Sequence, residues 1–297
     1  MDITEVKHSC EHFFGLRETP FSLTPDTGFY VNLPDHSAAF DSILYGLSAG
    51  EGFIKITGEV GTGKTLLCRR LLRYLQTDQW VTAYIPNPAM SSVALWRALA
   101  RELGVKHSTR INEMQHAIQQ YLLDTARAGR KLVLVIDEAQ SMPVETLEAL
   151  RLISNLETER QKLVHIVLFG QPELDQILAR QDLRQLNQRI TTSARLSPLA
   201  DVQALSHYLN ARLNQAGYTG APLFTRQAVQ SLLFCTYGIP RLANVIADKA
   251  LLIAFGRGER TVKEKYVRMA IADTDSVRRS NGWLQRILLA GGLRKAV

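Results

Sequence analysis

Residues 58–65 read Gly-Glu-Val-Gly-Thr-Gly-Lys-Thr, and this stretch decides the fold of the chain. It matches the phosphate-binding pattern G-x-x-x-x-G-K-[ST] at every fixed position. Residues 53–57 before it predict a short strand, and the run that begins at Leu66 predicts a helix. Such a loop presents backbone N–H groups and the positive end of a helix dipole to a phosphate. We therefore predict a nucleotide-binding P-loop. A glycine-rich turn that binds nothing is disfavoured because motif, strand and helix agree.

The pattern gives individual loop residues a role. Lys64 is expected to reach the β- and γ-phosphates of ATP, and the hydroxyl of Thr65 is expected to hold Mg²⁺. The predicted nucleotide-binding residues are the whole loop and the residue after it: Gly58, Glu59, Val60, Gly61, Thr62, Gly63, Lys64, Thr65 and Leu66.

A second nucleotide-binding signal lies where the apolar run 132–136 leads into Asp137 and Glu138. A buried parallel strand would deliver both carboxylates to the carboxyl edge of a sheet, beside the phosphate loop. There Asp137 can hold Mg²⁺, and Glu138 can activate a water for attack on the γ-phosphate. The spacing leaves room for a further strand between the two motifs. It therefore predicts the strand order 5-1-4-3-2.

Strand and helix patterns alternate through the first two thirds of the chain, which predicts an α/β fold with a parallel sheet covered on both faces. After Pro198 only helical patterns follow, so a small all-helical lid domain is expected. The predicted strands are 53–57, 81–85, 131–136, 164–169 and 191–196; the predicted helices are 64–76, 91–103, 112–128, 144–155, 172–178, 202–215, 226–235, 240–255 and 263–271.

The same patterns divide the chain into four segments. Residues 1–35 read as an irregular lead-in, broken by glycine and two prolines, whose aromatic residues pack on the next domain. Residues 36–198 are the predicted nucleotide-binding core and 199–275 the helical lid. Residues 276–297 form a basic amphipathic tail, for which a disordered chain end is the alternative.

Four further residues are candidates for the site. Gln171 follows the strand 164–169 and could touch the γ-phosphate or the water; a simple helix-start residue is the alternative. Arg189 precedes the last strand and is the first candidate for an arginine that acts on a neighbouring subunit's phosphate, with Arg184 the second. Arg241 follows Gly-Ile-Pro in the first turn of a lid helix, from which it could sense the nucleotide.

Composition and charge exclude several classes of protein. Three distant cysteines indicate neither a metal site nor a disulfide framework, and no histidine shows ligand spacing. No apolar run reaches the roughly 18 residues of a membrane span, and no signal peptide is visible, so a cytoplasmic protein is expected. Of the net charge of +7, residues 276–297 contribute five basic and no acidic residues. The remaining chain is near neutral, which makes nucleic acid an unfavoured partner.

Together the motifs resemble the AAA+ ATPases, and more narrowly the general secretion pathway protein A family, over roughly residues 11–272. Seven blocks carry this resemblance in order: residues 14–16, 20–26, 45–47, 52–65, 136–140 (Ile-Asp-Glu-Ala-Gln), 169–174 and 238–241 (Gly-Ile-Pro-Arg). Within that family, Ala-Tyr-Ile-Pro-Asn-Pro at 83–88 is most similar to the ATPases for biogenesis of the mannose-sensitive haemagglutinin (MSHA) type IV pilus.

The resemblance implies a mechanism and a setting. Lys64 and Thr65 would bind ATP and Mg²⁺, Asp137 the metal, Glu138 the attacking water, and Arg241 the nucleotide. It further implies a homo-oligomer that assembles a pilus or type II secretion machine through an inner-membrane component. Separately, the basic and apolar residues of 276–297 favour peripheral membrane contact through this tail.

Two other functions stay open at this stage. A nucleic-acid-directed AAA+ ATPase of the transposition target-selection type shares the fold, although the near-neutral body disfavours it. A binding switch that holds ATP with little hydrolysis is the other alternative, against which the adjacent acids at 137 and 138 argue.

Overall fold

The computed structural model describes residues 3–24, 26–105, 110–157 and 162–274. Within these ranges the helices are α1 (Ile3–Phe14), α2 (Pro34–Ala49), α3 (Lys64–Tyr74), α4 (Ser92–Glu102), α5 (Ile111–Arg127), α6 (Val144–Ser154), α7 (Glu173–Leu178), α8 (Arg184–Asn187), α9 (Val202–Gln215), α10 (Arg226–Thr236), α11 (Pro240–Gly256) and α12 (Glu264–Ala272). The strands are β1 (Phe53–Gly58), β2 (Trp80–Ile85), β3 (Lys131–Ile136), β4 (Val164–Gly170) and β5 (Ile190–Leu196).

The described residues form two compact units. The core unit is Asn32–Ser197. The helical unit combines the described residues of Met1–Val31 with those of Pro198–Val297. The expected basic tail at 276–297 lies outside the described residues, and the four-segment division stays a prediction.

A five-stranded parallel sheet forms the centre of the core unit, in the order β2-β3-β4-β1-β5. Read from the other edge this is 5-1-4-3-2, so the predicted order is confirmed. Helices cover both faces. Because successive side chains of a strand point to opposite faces, Leu132, Leu134 and Ile136 of β3 join the apolar cluster of α4, α5 and α6. Val133 and Val135 join the cluster of α2 and α3.

The register of the sheet brings the two nucleotide-binding motifs to one edge. β4 lies between β3 and β1, with Ile136 opposite Leu168 on one side and Thr57 opposite Gly170 on the other. The segments that follow the carboxyl ends of β1, β3 and β4 are therefore neighbours. These segments begin with the phosphate loop, the Asp-Glu pair and Gln171.

The beginning of the chain differs from the expected irregular lead-in. Ile3–Phe14 is a helix, because its breakers, Gly15 and two prolines, all follow it; Gly15 ends it with a φ of 70°. This helix packs on α11, where the rings of Phe13 and Phe255 lie 5.4 Å apart. The segment therefore groups with the helical unit, not with the core unit that follows it in sequence.

A buried arginine attaches the rest of this segment to the helical unit. The guanidinium of Arg212 on α9 donates to the carbonyl oxygens of Pro20 (2.7 Å) and Ser22 (3.3 Å) and to the hydroxyl of Tyr208 (3.2 Å). It also lies over the ring of Phe29 at 5.2 Å. A cation with this many partners is stable without water because its charge is satisfied by fixed dipoles.

Two features of the described residues concern the helices and the thiols. None of the helices in the described ranges is both long enough and apolar enough to span a membrane. The three cysteines, Cys10, Cys68 and Cys235, are free thiols.

Candidate nucleotide-binding site

The phosphate loop adopts a backbone that only glycine accepts easily. Gly61 and Gly63 have φ angles of 85° and 101°, in the left-handed region. A Cβ on Gly63 would also lie 2.7 Å from Nε2 of His36, and one on Gly58 would lie 2.8 Å from the carbonyl oxygen of Leu196. The loop is thus packed closely on both sides, by His36 at Gly63 and by Leu196 at Gly58.

Lys64 begins α3 and is folded back over the loop. Its Nζ donates to the carbonyl oxygens of Gly58 (2.7 Å) and Glu59 (2.9 Å), and the residue is only 5% exposed. Burial lowers the pKa of the ammonium from its usual value, with nearby carboxylates, Glu138 first among them, acting in the opposite direction. The two carbonyls are weak partners for a buried cation, so a phosphate oxygen would be a favourable replacement.

Thr65 and Asp137 meet from opposite sides of the site. The Thr65 hydroxyl donates to Oδ2 of Asp137 at 2.9 Å, although the two residues are 72 positions apart. Asp137 is 3% exposed, and burial raises the pKa of its carboxyl. A hydroxyl and a carboxylate are the hard oxygen ligands that Mg²⁺ takes beside phosphate. These two residues fit the predicted metal site.

Glu138 occupies an unusual backbone conformation next to Asp137. Its φ of 53° is in the left-handed region, and its N–H donates to Oδ1 of Asp137 at 3.0 Å. The carboxylate oxygen Oε2 accepts from the side-chain amides of Gln140 (2.6 Å) and Gln171 (3.2 Å). The structure therefore brings the predicted Gln171 into direct contact with the predicted base.

Arg189 lies at the amino ends of the strands, whereas the phosphate loop lies at their carboxyl ends. Arg189 precedes Ile190, the first residue of β5, which pairs with Phe53, and the loop begins at Gly58, which pairs with Leu196 at the end of β5. Six residues of strand separate the two ends, roughly 20 Å. Arg189 donates to the hydroxyl of Ser154 (2.9 Å) and to Oδ1 of Asn155 at the end of α6.

The other two arginines are exposed. Arg184 begins α8 in the core unit, and Arg241 lies in the first turn of α11 in the helical unit. The turn before Arg241 leaves no room for a side chain at Gly238, since a Cβ there would lie 2.0 Å from the carbonyl oxygen of Leu199. The roles of Arg184, Arg189 and Arg241 toward a nucleotide stay predictions.

Comparison with known proteins agrees with this geometry. A family model described as an AAA domain matches residues 48–178, which contain the phosphate loop, the Asp-Glu pair and Gln171.

The core unit has the AAA+ P-loop fold.

Among curated proteins, the general secretion pathway protein A of Aeromonas hydrophila is 39% identical over 280 residues. The alignment covers 94% of this chain and 51% of that protein, so the chain spans about half the length of this relative.

Solved structures share the AAA+ fold at low identity. Cdc6p from Pyrobaculum aerophilum has a TM-score of 0.67 at 19% identity, covering 86% of this chain and 70% of that one. The ORC2 protein of Aeropyrum pernix, solved as ADPNP–ADP complexes, has a TM-score of 0.60 at 17% identity, covering 85% and 71%. The Thermotoga maritima RuvB Holliday junction branch migration motor has 0.54 at 15%, covering 82% and 69%. At these identities the likeness shows the fold.

Two residues of the AAA+ core were not assigned a role from the sequence. Gln140 contacts Glu138, as described above. In the sequence, the one indication of a functional role was its position two residues after Glu138. His36 at the start of α2 is 4% exposed, and its Nε2 lies 2.9 Å from the carbonyl oxygen of Thr62. Nε2 must carry a proton to donate there, and burial lowers the pKa of the ring. His36 supports the phosphate loop from behind.

Proposed function

We propose that this protein binds and hydrolyses ATP with Mg²⁺ and uses this cycle to assemble a cell-envelope machine. One observation carries the enzymatic part: the Lys64 ammonium, the Thr65–Asp137 pair and the Glu138 carboxylate follow neighbouring strand ends at one edge of the sheet. A cation for phosphate, oxygen ligands for Mg²⁺ and a carboxylate for water are the parts that phosphoryl transfer requires.

Each side chain has one task in this mechanism. Lys64 exchanges its two carbonyl acceptors for phosphate oxygens and neutralises their charge. Thr65 and Asp137 hold Mg²⁺, whose chemistry is to stabilise negative charge on phosphate oxygens. Glu138 orients the attacking water and accepts its proton. Gln171, already in contact with Glu138, acts as the sensor between base and γ-phosphate.

We propose further that the active form is a homo-oligomer. Arg189 is separated from its own phosphate loop by the length of β5, so a phosphate contact would have to be with another copy. An arginine supplied in this way is worth about 10³–10⁵ in rate. Arg184 is the second candidate for this role. Arg241, from a helical unit acting as the lid, would report the state of the nucleotide.

The relative in Aeromonas supports a role in the cell envelope. Its name places that protein in the general secretion pathway, and 39% identity supports a type II secretion role here. The block 83–88 favours the alternative of MSHA-like type IV pilus biogenesis. We propose an inner-membrane component of such a machine as partner and the cytoplasmic side of that membrane as the place of action. Residues 276–297 are the candidate for peripheral contact.

ATP hydrolysis and oligomeric mass, measured on the same samples, test this proposal. Wild type is expected to assemble with ATP and release phosphate. Lys64→Ala is expected to lose ATP binding, and Glu138→Gln to bind ATP but not hydrolyse it. Lys55→Ala is the matched control. It also removes a lysine, but one that lies in the strand before the loop and pairs with the surface carboxylate of Asp175. Wild type that binds ATP in an oligomer yet releases no more phosphate than Glu138→Gln would favour the binding switch.

A DNA-binding titration tests the nucleic-acid alternative. Aeropyrum pernix ORC1 was solved in complex with DNA, but at 20% identity that likeness shows the fold alone. We expect no binding at about physiological ionic strength. Tight binding that weakens steeply with salt would contradict the assembly proposal and support a nucleic-acid-directed ATPase.

A further inference from the structure

Gln140 stands at the centre of a hydrogen-bond chain beside the proposed base. Its side-chain Nε2 lies 2.6 Å from Oε2 of Glu138, and its Oε1 accepts from the backbone N–H of Gln171 at 2.9 Å. One amide therefore joins the segment after β3 to the turn after β4. The geometry depends on Gly170, since a Cβ there would lie 2.7 Å from Leu174 and 3.3 Å from Oε1 of Gln140.

The chemistry of these groups fixes the orientation of the Gln140 amide. A backbone N–H can only donate, so the atom of Gln140 that faces Gln171 must be the oxygen. The NH₂ group then faces Glu138 and can only donate to its carboxylate. A flipped amide would place an acceptor against a carboxylate oxygen and a donor against an N–H, and both contacts would be repulsive. The orientation of the amide is thus set by its two partners.

The backbone after Glu138 also serves this arrangement. Ser141 donates to the carbonyl oxygen of Glu138 with its N–H (2.9 Å) and its hydroxyl (2.8 Å), which closes a tight turn. This turn and the left-handed φ of Glu138 bring Gln140 back against the Glu138 carboxylate. A left-handed conformation is unfavourable for a non-glycine residue, so contacts of the folded chain must offset its cost.

We propose that Gln140 is a positioning residue for Glu138 and that it makes the orientation of the base depend on the turn after β4. Both amides use Oε2, and neither uses Oε1, the second oxygen of the carboxylate. Oε1 is therefore the oxygen that serves the attacking water. This inference rests on the proposed ATP hydrolysis and adds a residue to which that mechanism gave no task.

The kinetic test uses two variants of Gln140 and one control. Gln140→Ala removes both hydrogen bonds, and Gln140→Glu keeps the shape and an acceptor but replaces the amide donor. Both are expected to lower kcat by about 10- to 100-fold, within the range for a misplaced general base. The affinity for Mg·ATP, measured with a fluorescent ATP analogue, should change less than about twofold, because neither bond of Gln140 is made to a loop residue. Lys55→Ala, which removes a side chain paired with the surface carboxylate of Asp175 and leaves the turn after Glu138 intact, should keep kcat.

A double-mutant cycle separates positioning from a general structural effect. If Gln140 acts through Glu138, adding Gln140→Ala to Glu138→Gln causes no further loss of single-turnover rate. Thermal unfolding of the nucleotide-free protein gives a readout that does not depend on catalysis. The Tm shifts of Glu138→Ala and Gln140→Ala should be less than additive in the double variant, because each single change removes the same bond.

Each result decides between the inference and the proposed function. Wild-type kcat in Gln140→Glu, a multiplicative loss in the double variant, or additive Tm shifts would overturn the role of Gln140 while leaving ATP hydrolysis intact. A wild-type protein that releases no phosphate would instead overturn the proposed function, and this inference with it.

Discussion

Substituting Gly63 by alanine tests whether close packing shapes the phosphate loop. Two costs follow from the structure. Alanine at a φ of 101° pays about 1–2 kcal/mol for the left-handed conformation. Its Cβ, 2.7 Å from Nε2 of His36, must also displace the imidazole and break its bond to Thr62, a further 0.5–1.5 kcal/mol or so. We expect a total of about 1.5–3.5 kcal/mol, or roughly 3–14 °C in Tm.

Gly129→Ala is the matched control for this experiment. Gly129 has a φ of 73°, but within the described part of the chain a Cβ built there meets no atom within 4 Å apart from its chain neighbours. This substitution should therefore destabilise the protein only through the left-handed conformation, by about 1–2 kcal/mol. Calorimetry of the nucleotide-free variants gives the difference, and titration with ATP should show at least a tenfold loss of affinity in Gly63→Ala alone. Equal Tm shifts for the two variants, with unchanged ATP affinity in both, would refute the reasoning.

Three further predictions concern the arginines and the buried histidines. Mixing Lys64→Ala with Arg189→Ala should restore part of the ATPase activity that each lacks alone, because a mixed oligomer contains some sites with both residues intact; no recovery would argue against action in trans. Arg212→Ala should destabilise the helical unit by roughly 3 kcal/mol, since hydrogen bonds of a buried cation are lost, and hydrogen exchange of residues 3–24 would report it. Stability should fall as the pH drops below about 6.5, because burial lowers the pKa of His36 and His165, so the unfolded chain binds protons that the folded chain excludes. Denaturant melts of the His36→Gln and His165→Gln double variant should show a weaker pH dependence, and an unchanged slope would contradict this assignment.

The elements with strong local signals were predictable from the sequence. β3 is an unbroken apolar run because both of its faces are covered, and the phosphate loop has a fixed pattern because its backbone excludes other residues. The proximity of Thr65 and Asp137 followed from one rule: the carboxyl ends of parallel strands lie at the same edge of a sheet. These features were predictable because they depend only on short stretches of sequence and on the general geometry of parallel sheets.

The contacts that the sequence did not predict join distant segments. His36 meets Thr62 across 26 positions, and Gln140 meets Gln171 across 31, and neither pair has a spacing rule. The helix α1 was missed for a different reason. Its breakers were taken to interrupt the whole segment, but they all lie after Phe14, and the helix packs on α11, more than 200 residues later in the sequence.

The division into units makes the AAA+ core an insertion within the helical unit. The chain leaves the helical unit after Val31 and returns to it at Pro198. The core is therefore a continuous segment with two covalent connections, whereas the helical unit is assembled from both ends of the described chain. A protein that begins at residue 32 would lack α1 and the carbonyl oxygens of Pro20 and Ser22, and of the three hydrogen bonds described for the buried Arg212 it would keep only the one to Tyr208. An intact helical unit lacking the core would instead require the two outer pieces to be joined by a new linker between residues 31 and 198.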